Sequence, residues 1–325
     1  MTTVDAHRTE ASAPVAAPAG EVYRLLTDVA EWPLLYPWIA HTEVLESEGG
    51  RDLVEFWAVK PDGTVRNWTS RRVLDPRALR MDFEQLGSVG PITGLGGTWI
   101  FHPEGPDGCR VATEHWFTTD RDPDETAGEL DRNSARQLAT LRAKAERRAE
   151  FTDRVLRVEA HRELPYGTEE SYDRLVRALG HEGTGADFAD VVTRAPAGGT
   201  HTGRTLRIAV PGRAVVHQDL TPPDPLELCL RRWRITPASA DRTRLTASLV
   251  LSSPRAALPG PREALRAWAE ADLATGLAAV GDEPGDEPGD EPGDEPGDGP
   301  SGMKRSGTRS DTKTEGKGAP PCEFC

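Results

Sequence analysis

The residues best equipped for chemistry are Trp68, Ser70 and Arg72, spaced two apart in Asn67-Trp68-Thr69-Ser70-Arg71-Arg72-Val73. Turn signals bound this stretch, Pro61-Asp62-Gly63 before it and Asp75-Pro76 after it, so it reads as a β-strand. Strand side chains alternate, which puts Trp68, Ser70 and Arg72 on one face and Asn67, Thr69, Arg71 and Val73 on the other. An isolated buried Arg is costly unless something anionic or strongly polar meets it. The first face suits a pocket for a long, flat, oxygen-rich molecule. Trp supplies stacking area, Ser a two-way hydrogen bond, and Arg a fork of donors for carbonyl or enolate oxygens. The plainer alternative is an edge strand with Arg72 in water and Trp68 half-covered.

The elements that would hold this face follow from the chain as a whole. At 325 residues it has the length of about two domains. No run of about 18 apolar residues exists, so no membrane span is expected. The start, Met1-Thr2-Thr3-Val4-Asp5, lacks a basic region followed by an apolar one. Four cysteines, Cys109, Cys229, Cys322 and Cys325, are too few for a disulfide framework, and a reducing cytoplasmic location is expected. The net charge is −14, but the residues after Gly281 hold 12 acids against 5 bases, leaving −7 for the body. So mild an acidity speaks against nucleic acid as the ligand.

In chain order, His7 to Ala13 reads as a strand. A helix from Glu21 to Ala30 follows, with Val22, Leu25, Leu26 and Val29 at helical spacing. Trp32-Pro33-Leu34-Leu35-Tyr36-Pro37-Trp38-Ile39 is either a short second helix or a loop packed over a cavity mouth. Strands are expected at Leu53–Val59, Val65–Leu74, Leu79–Leu86, Gly97–His102 and Cys109–Thr118, then a long helix from about Glu125 to Glu150. Its apolar positions Leu130, Ala135, Leu138 and Leu141 give it one face for the sheet. One strand, a helix pair, antiparallel strands and a closing helix make an α+β domain, a curved sheet around a helix.

Residues 151–281 repeat that order. Phe151–Leu164 reads as a strand, Thr168–Leu179 as a helix with a capping-like Thr168-Glu169-Glu170-Ser171 start, and Arg262–Val280 as a second closing helix. Tyr172 answers Tyr23 with one shift, and Trp233-Arg234-Ile235-Thr236-Pro237 answers Trp99-Ile100-Phe101-His102-Pro103. Sliding the halves on that correspondence sets His201, Gly203 and Thr205 opposite Trp68, Ser70 and Arg72, so the chemistry is expected in residues 1–150. Residues 282–325 begin with Gly-Asp-Glu-Pro repeats set by Gly281 and read as a disordered acidic tail. Its Cys322-Glu323-Phe324-Cys325 is half a zinc site, and no metal is expected there.

The element order, Trp32-Pro33, Trp68-Thr69-Ser70-Arg71-Arg72, Gly96-Gly97-Thr98-Trp99 and Asp131-Arg132-Asn133-Ser134 together resemble the didomain aromatase/cyclases of bacterial type II polyketide synthases. The resemblance spans about residues 5–280 and is stronger in the first half. It implies two tandem helix-grip (START-like) domains. It also implies a cavity in which a poly-β-ketone, tethered to an acyl carrier protein and ketoreduced, closes a C7–C12 first ring by aldol addition and dehydration. By position it implies Arg72 and Ser70 as catalytic residues, and Trp32, Tyr36, Trp68, Phe83, Trp99 and Asn133 as substrate-binding ones. The implied partners are the carrier protein and other synthase components. Arg136, Arg142, Lys144, Arg147 and Arg148 are the expected basic landing surface for an acidic carrier.

The mechanism read from the residues needs no cofactor. Arg72 stabilises a developing oxyanion, Ser70 or a water it holds relays a proton, and the pocket holds a floppy chain in one curl. No Ser-His-Asp arrangement, glycine-rich phosphate loop or convincing metal cluster is present. His115 reads as a packed strand histidine rather than a base. The rival class is a START-like carrier of apolar ligands, which would want a wholly apolar cavity; Arg72 and Ser70 between tryptophans discriminate against it.

Overall fold

The computed structural model describes residues 6–88, 90–181 and 185–281. The expected tail, with its Cys322–Cys325 pair, lies outside the described residues. The first half opens with β1 (His7–Val15), α1 (Ala19–Thr27), a 3-10 turn at Val29–Glu31 and the short α2 (Trp32–Leu35). Strands β2 (Ile39–Glu48), β3 (Arg51–Val59), β4 (Val65–Asp75), β5 (Arg80–Leu86), β6 (Ile92–Pro103) and β7 (Cys109–Thr119) follow, and α3 (Pro123–Glu146) closes the unit. After α4 (Arg148–Arg154) come β8 (Val155–Leu164), α5 (Thr168–Ala178), β9 (Gly185–Arg194) and β10 (Thr200–Val210). The chain ends its described part with β11 (Ala214–Asp219), β12 (Leu228–Pro237), β13 (Thr243–Ser252) and α6 (Pro259–Gly281).

Both sheets are antiparallel. The first runs β1-β7-β6-β5-β4-β3-β2 and the second β8-β13-β12-β11-β10-β9. Chain neighbours pair as hairpins, and the first strand of each half closes on the last. Each sheet lays one face on a long helix. On α3 the buried positions Leu130, Leu138, Leu141 and Ala145 form the apolar stripe that meets β1 and β7. Asp122 caps α3 by accepting from the Asp124 N–H, and Pro123 occupies the first turn, where its missing donor costs nothing. In α6, Leu265, Trp268, Ala269, Leu273 and Leu277 fill the equivalent core against Leu245, Ala247 and Leu249.

Three differences from the sequence reading have physical causes. Strand β2 escapes notice because its buried residues include His41, Thr42 and Glu43, polar groups in an inward pattern. His41 and Glu43 are buried by the second half, where Arg232 donates to His41 Nδ1 at 3.0 Å and Arg234 to Glu43 Oε2 at 2.8 Å, while Thr42 donates to the Val29 carbonyl at 2.8 Å. Ala40 and Trp57 join Leu206, Ile208 and Val216 in one apolar cluster across the halves. The closing helix ends at Glu146 because Arg147 leaves helical geometry (φ −115°, ψ 29°), and Phe151 sits in α4 rather than in a strand. Thr168 does not cap α5; Gly167 precedes that helix without a side-chain cap.

The largest correction concerns how the halves superpose. Arg72 pairs with Phe83 and Phe83 with Gly97 in the first sheet; Arg207 pairs with His217 and His217 with Arg231 in the second. Trp99 pairs with Met81, and Trp233 with Val215. The counterparts of Trp68, Ser70 and Arg72 are therefore Gly203, Thr205 and Arg207. The hydroxyl and the guanidinium persist in the second half and only the indole is lost. Sliding on sequence letters set the counterparts two residues early, and a turn shorter by one residue in the second copy accounts for one of the two. Among the described residues the second half has no element corresponding to α2 or β2 between α5 and β9.

No helix among the described residues is long and apolar enough to cross a membrane.

Candidate active site

The face of β4 that carries Trp68, Ser70 and Arg72 turns inward, and Arg66 extends it by one more step of two residues. All four line a cavity between the first sheet and α3. Trp32, Tyr36, Phe83, Trp99 and Asn133 line it as well, so the eight residues singled out from the sequence surround one space. Arg71, one residue away, points out and is more than half exposed beside Glu84.

One wall is a run of aromatic rings. Trp68 stacks on Phe56, its partner across the β3–β4 ladder, with centroids 5.1 Å apart and planes 11° from parallel. Phe56 touches Trp32 at 5.0 Å, Trp32 meets Tyr36 edge-on at 5.2 Å, and Tyr36 meets Trp38 at 5.1 Å. The α2 segment is thus the cavity's cover, locked by Trp32 Nε1–H donating to the Leu26 carbonyl at 2.8 Å. The opposite wall exists because of glycine. A Cβ on Gly97 would lie 2.2 Å from the Glu114 carbonyl oxygen and 3.0 Å from the Phe83 ring, and one on Gly96 would strike Trp116 at 2.5 Å. Glycine there lets β7 and Phe83 close up beside Trp99.

Arg72 is buried and held by a fork. Its Nε donates to Asp52 Oδ1 at 2.7 Å, its Nη2 to Asp52 Oδ2 at 2.5 Å, and Nη2 also to the Thr27 carbonyl at 3.1 Å. Among the described residues its Nη1 meets the Met81 sulfur alone, at 3.8 Å, a weak acceptor that also lines the cavity. The guanidinium is therefore charge-balanced on one edge and presents the other to a ligand. Arg66 adds a second guanidinium, 4.9 Å above the Trp68 ring and donating to Gln85 Oε1 at 3.1 Å.

Several polar atoms in this space have no hydrogen-bond partner among the described residues: Tyr36 Oη, Gln85 Nε2 and Asn133 Nδ2. Burial raises the Tyr36 phenol far above its ordinary value, so it stays a neutral donor. His115 also lines the cavity, 3.5 Å from Ser134 Oγ and edge-on to Phe83. Burial pushes its imidazole down to about 4, which keeps it neutral near pH 7. Buried donors left open cost free energy until something accepts from them. A ligand with several carbonyl oxygens would satisfy them.

The sequence reading missed Arg66, Gln85 and Asp52. Arg66 was within reach, since the same alternation that picks Trp68, Ser70 and Arg72 picks it two residues earlier. Gln85 follows Phe83 in the same way. Asp52 becomes visible only once the β3–β4 register sets it opposite Arg72. The five basic residues expected as a landing surface sit at different places along α3 and α4. Arg136 lies over Trp38 at the cavity at 4.0 Å, whereas Lys144 sits over Phe151 and Arg147 pairs with Glu150 at the far end of α3.

A family model described as "Polyketide cyclase / dehydrase and lipid transport" matches residues 15–122. The actinorhodin polyketide synthase bifunctional cyclase/dehydratase of Streptomyces coelicolor is 35% identical over 245 residues, 67% of this chain and 76% of that protein. The granaticin polyketide synthase bifunctional cyclase/dehydratase of Streptomyces virginiae is 31% identical over 245 residues, 68% of this chain and 79% of that protein. Among solved structures, the di-domain ARO/CYC StfQ from the steffimycin biosynthetic pathway superposes with a TM-score of 0.71 at 23% identity, over 84% of this chain and 96% of that one. The di-domain ARO/CYC BexL from the BE-7585A pathway gives 0.66 at 26% identity, over 86% and 100%. An aromatic-walled cavity with open donors and this degree of likeness lead to one conclusion: the chain belongs to the aromatase/cyclases of type II polyketide synthases and is a polyketide cyclase/dehydratase.

Proposed function

We propose that the first cavity receives a poly-β-ketone tethered to an acyl carrier protein and ketoreduced, and closes its first ring between C7 and C12. The observation that carries this reading is the set of unpartnered buried donors, Tyr36 Oη, Gln85 Nε2 and Asn133 Nδ2, in one aromatic-walled space with the open edge of Arg72. A methylene between two ketones loses a proton and its enolate carbon attacks a ketone carbon, leaving an alkoxide. Arg72 Nη1 and the amide donors stabilise that negative charge in a site shielded from water. Protonation of the alkoxide and loss of its hydroxyl as water, loss of a second water from the reduced carbinol where that lies in the ring, and enolisation of the remaining ring ketone then give the aromatic ring. Ser70, or a water it holds, relays the proton, and neutral His115 is a second candidate for that part. Trp68, Phe56, Trp32 and Tyr36 hold the chain in one curl, which turns many competing closures into one.

The test is reconstitution of a minimal synthase and ketoreductase with and without this chain, followed by product analysis. The proposal expects a C7–C12 cyclised, aromatised product only when the chain is present. The same mixture of spontaneous shunt products in both reactions would defeat it.

A further inference from the structure

The second half has a cavity of its own, broadly open to solvent, between α6 and strands β9 to β12. It occupies the same place in its sheet as the first cavity does, but with other walls. Among the described residues no counterparts of α2 and β2 stand over it, and it is the roomier of the two. Where Gly97 leaves space in the first sheet, Arg231 stands in the second. Arg231 Nη1 donates to Asp219 Oδ2 at 2.9 Å and its Nε to Asp272 Oδ2 at 2.8 Å, joining the sheet to α6. Thr205 Oγ1 donates to Asp219 Oδ1 at 3.1 Å. Arg194 lines the cavity too, so two guanidiniums stand against the two carboxylates.

Two polar groups in this cavity have no partner among the described residues. Trp233 Nε1 belongs to a side chain in a residue only 4% exposed, and His217 Nε2 to one 7% exposed. The two rings meet edge-to-face at 5.0 Å. Trp233 Nε1 faces Gly276 of α6, where a Cβ would stand 3.1 Å from it. Burial, with Arg231 and Arg207 nearby, lowers the His217 imidazole to about 3, so it is neutral. Along α6 the small Ala267, Ala271 and Thr275 line the cavity beside Trp268 and Asp272. At its rim Val192 is 65% exposed.

We propose that this cavity is a second binding site, which takes a flat, neutral aromatic molecule carrying a carbonyl oxygen. The carbonyl accepts from Trp233 Nε1–H, an obligatory donor. His217 Nε2 pairs with a second oxygen, accepting from a hydroxyl or donating to a carbonyl according to its tautomer. The apolar plane of the ligand lies along Ala267 and Ala271 and against Val192. A neutral molecule fits because the lining's two carboxylates, Asp219 and Asp272, are matched by two guanidiniums, Arg231 and Arg194, leaving no net charge for an ion to meet. The site stands apart from ring formation in the first cavity and does not depend on it.

The experiment uses the full chain labelled with ¹⁵N and 1,8-dihydroxyanthraquinone as the probe. The Trp233 indole N–H signal, assigned by its loss in Trp233→Phe, is expected to shift saturably as the probe is added. Ala271→Trp places a ring over these alanines at an exposed position and should abolish that shift without altering the melting curve. Trp233→Phe keeps the ring but removes the donor, and should weaken this site about tenfold by calorimetry. A Trp233 signal that stays still up to the probe's solubility limit would overturn the proposal. So would a shift that survives in Ala271→Trp.

Discussion

Arg72 and Asp52 face each other directly across the β3–β4 ladder, both buried, joined by two hydrogen bonds of 2.7 and 2.5 Å. Arg207 and Asp187 repeat the arrangement across β9–β10, at 2.7 and 2.9 Å. Each arginine also donates to a carbonyl near the end of the first long helix of its half, Thr27 for Arg72 and Gly180 for Arg207. The fork is a feature of the domain and ties helix to sheet; the first copy also turns its spare edge on a substrate cavity.

This pairing sets the first prediction. Sequence alone suggests that Arg72→Ala would fold undisturbed, since it removes a buried charge. The structure reverses that, because Asp52 would be left buried and unpaired. Arg72→Ala should lose about 3–5 kcal/mol of stability as well as ring formation. The double variant Arg72→Met with Asp52→Leu should recover most of the stability and none of the activity. Denaturant unfolding and the ratio of cyclised to shunt products separate the two effects. An Arg72→Ala protein that unfolds at the wild-type midpoint would refute the structural role.

Arg71 supplies the contrast. Its side chain is more than half exposed and reaches Glu84 only at 3.5 Å, so Arg71→Ala should change stability by less than about 0.5 kcal/mol. The product ratio should stay at the wild-type value. A loss of ring formation here would mean that the catalytic face of β4 is the other one.

The cavity face was legible because strand alternation is rigid: once turn residues bound β4, Trp68, Ser70 and Arg72 must share a side. Trp32 and Tyr36 were legible as an aromatic cluster between two helix breakers. What sequence does not encode locally is which residues meet across strands. Asp52, Gln85 and the true counterparts Thr205 and Arg207 all depend on register, which hairpin length sets and composition does not. Strand β2 was hidden for another reason. A buried His41 and Glu43 look like surface residues until the arginines of β12 arrive from almost two hundred positions away.

Acid should destabilise the protein through its buried histidines. His41 and His115 are each held at about 4 and His217 at about 3, mainly by burial, against about 6.5 in the unfolded chain. As pH falls from 6.5 towards 4, the unfolded chain takes up protons that these sites refuse. Stability should fall by up to about 1.4 kcal/mol per pH unit for each histidine, and not change on their account above pH 7. Glu43, held at about 2 by His41 and Arg234 in spite of burial, stabilises above its unfolded value. That contribution is lost lower, between about 4.5 and 2. His115→Gln should reduce the slope between pH 6 and 4 by one proton's worth; an unchanged slope would show that His115 is not buried neutral.

The unpartnered donors give the last prediction, in which stability and activity move in opposite directions. Tyr36 is 1% exposed, its hydroxyl has no acceptor among the described residues, and its phenol does not ionise near neutral pH. An open buried O–H costs the folded state about 1–3 kcal/mol, so Tyr36→Phe should leave the protein as stable or more stable. If the same hydroxyl donates to a carbonyl of the bound chain as its oxygen gains charge, removing it should slow ring closure by about a hundredfold. Asn133→Leu should behave alike, since Nδ2 of Asn133 is open in the same cavity. Unfolding midpoints and single-turnover cyclisation rates measure the two quantities independently. A Tyr36→Phe protein that is less stable yet equally active would make that hydroxyl a structural group, and the argument from open donors would fail with it.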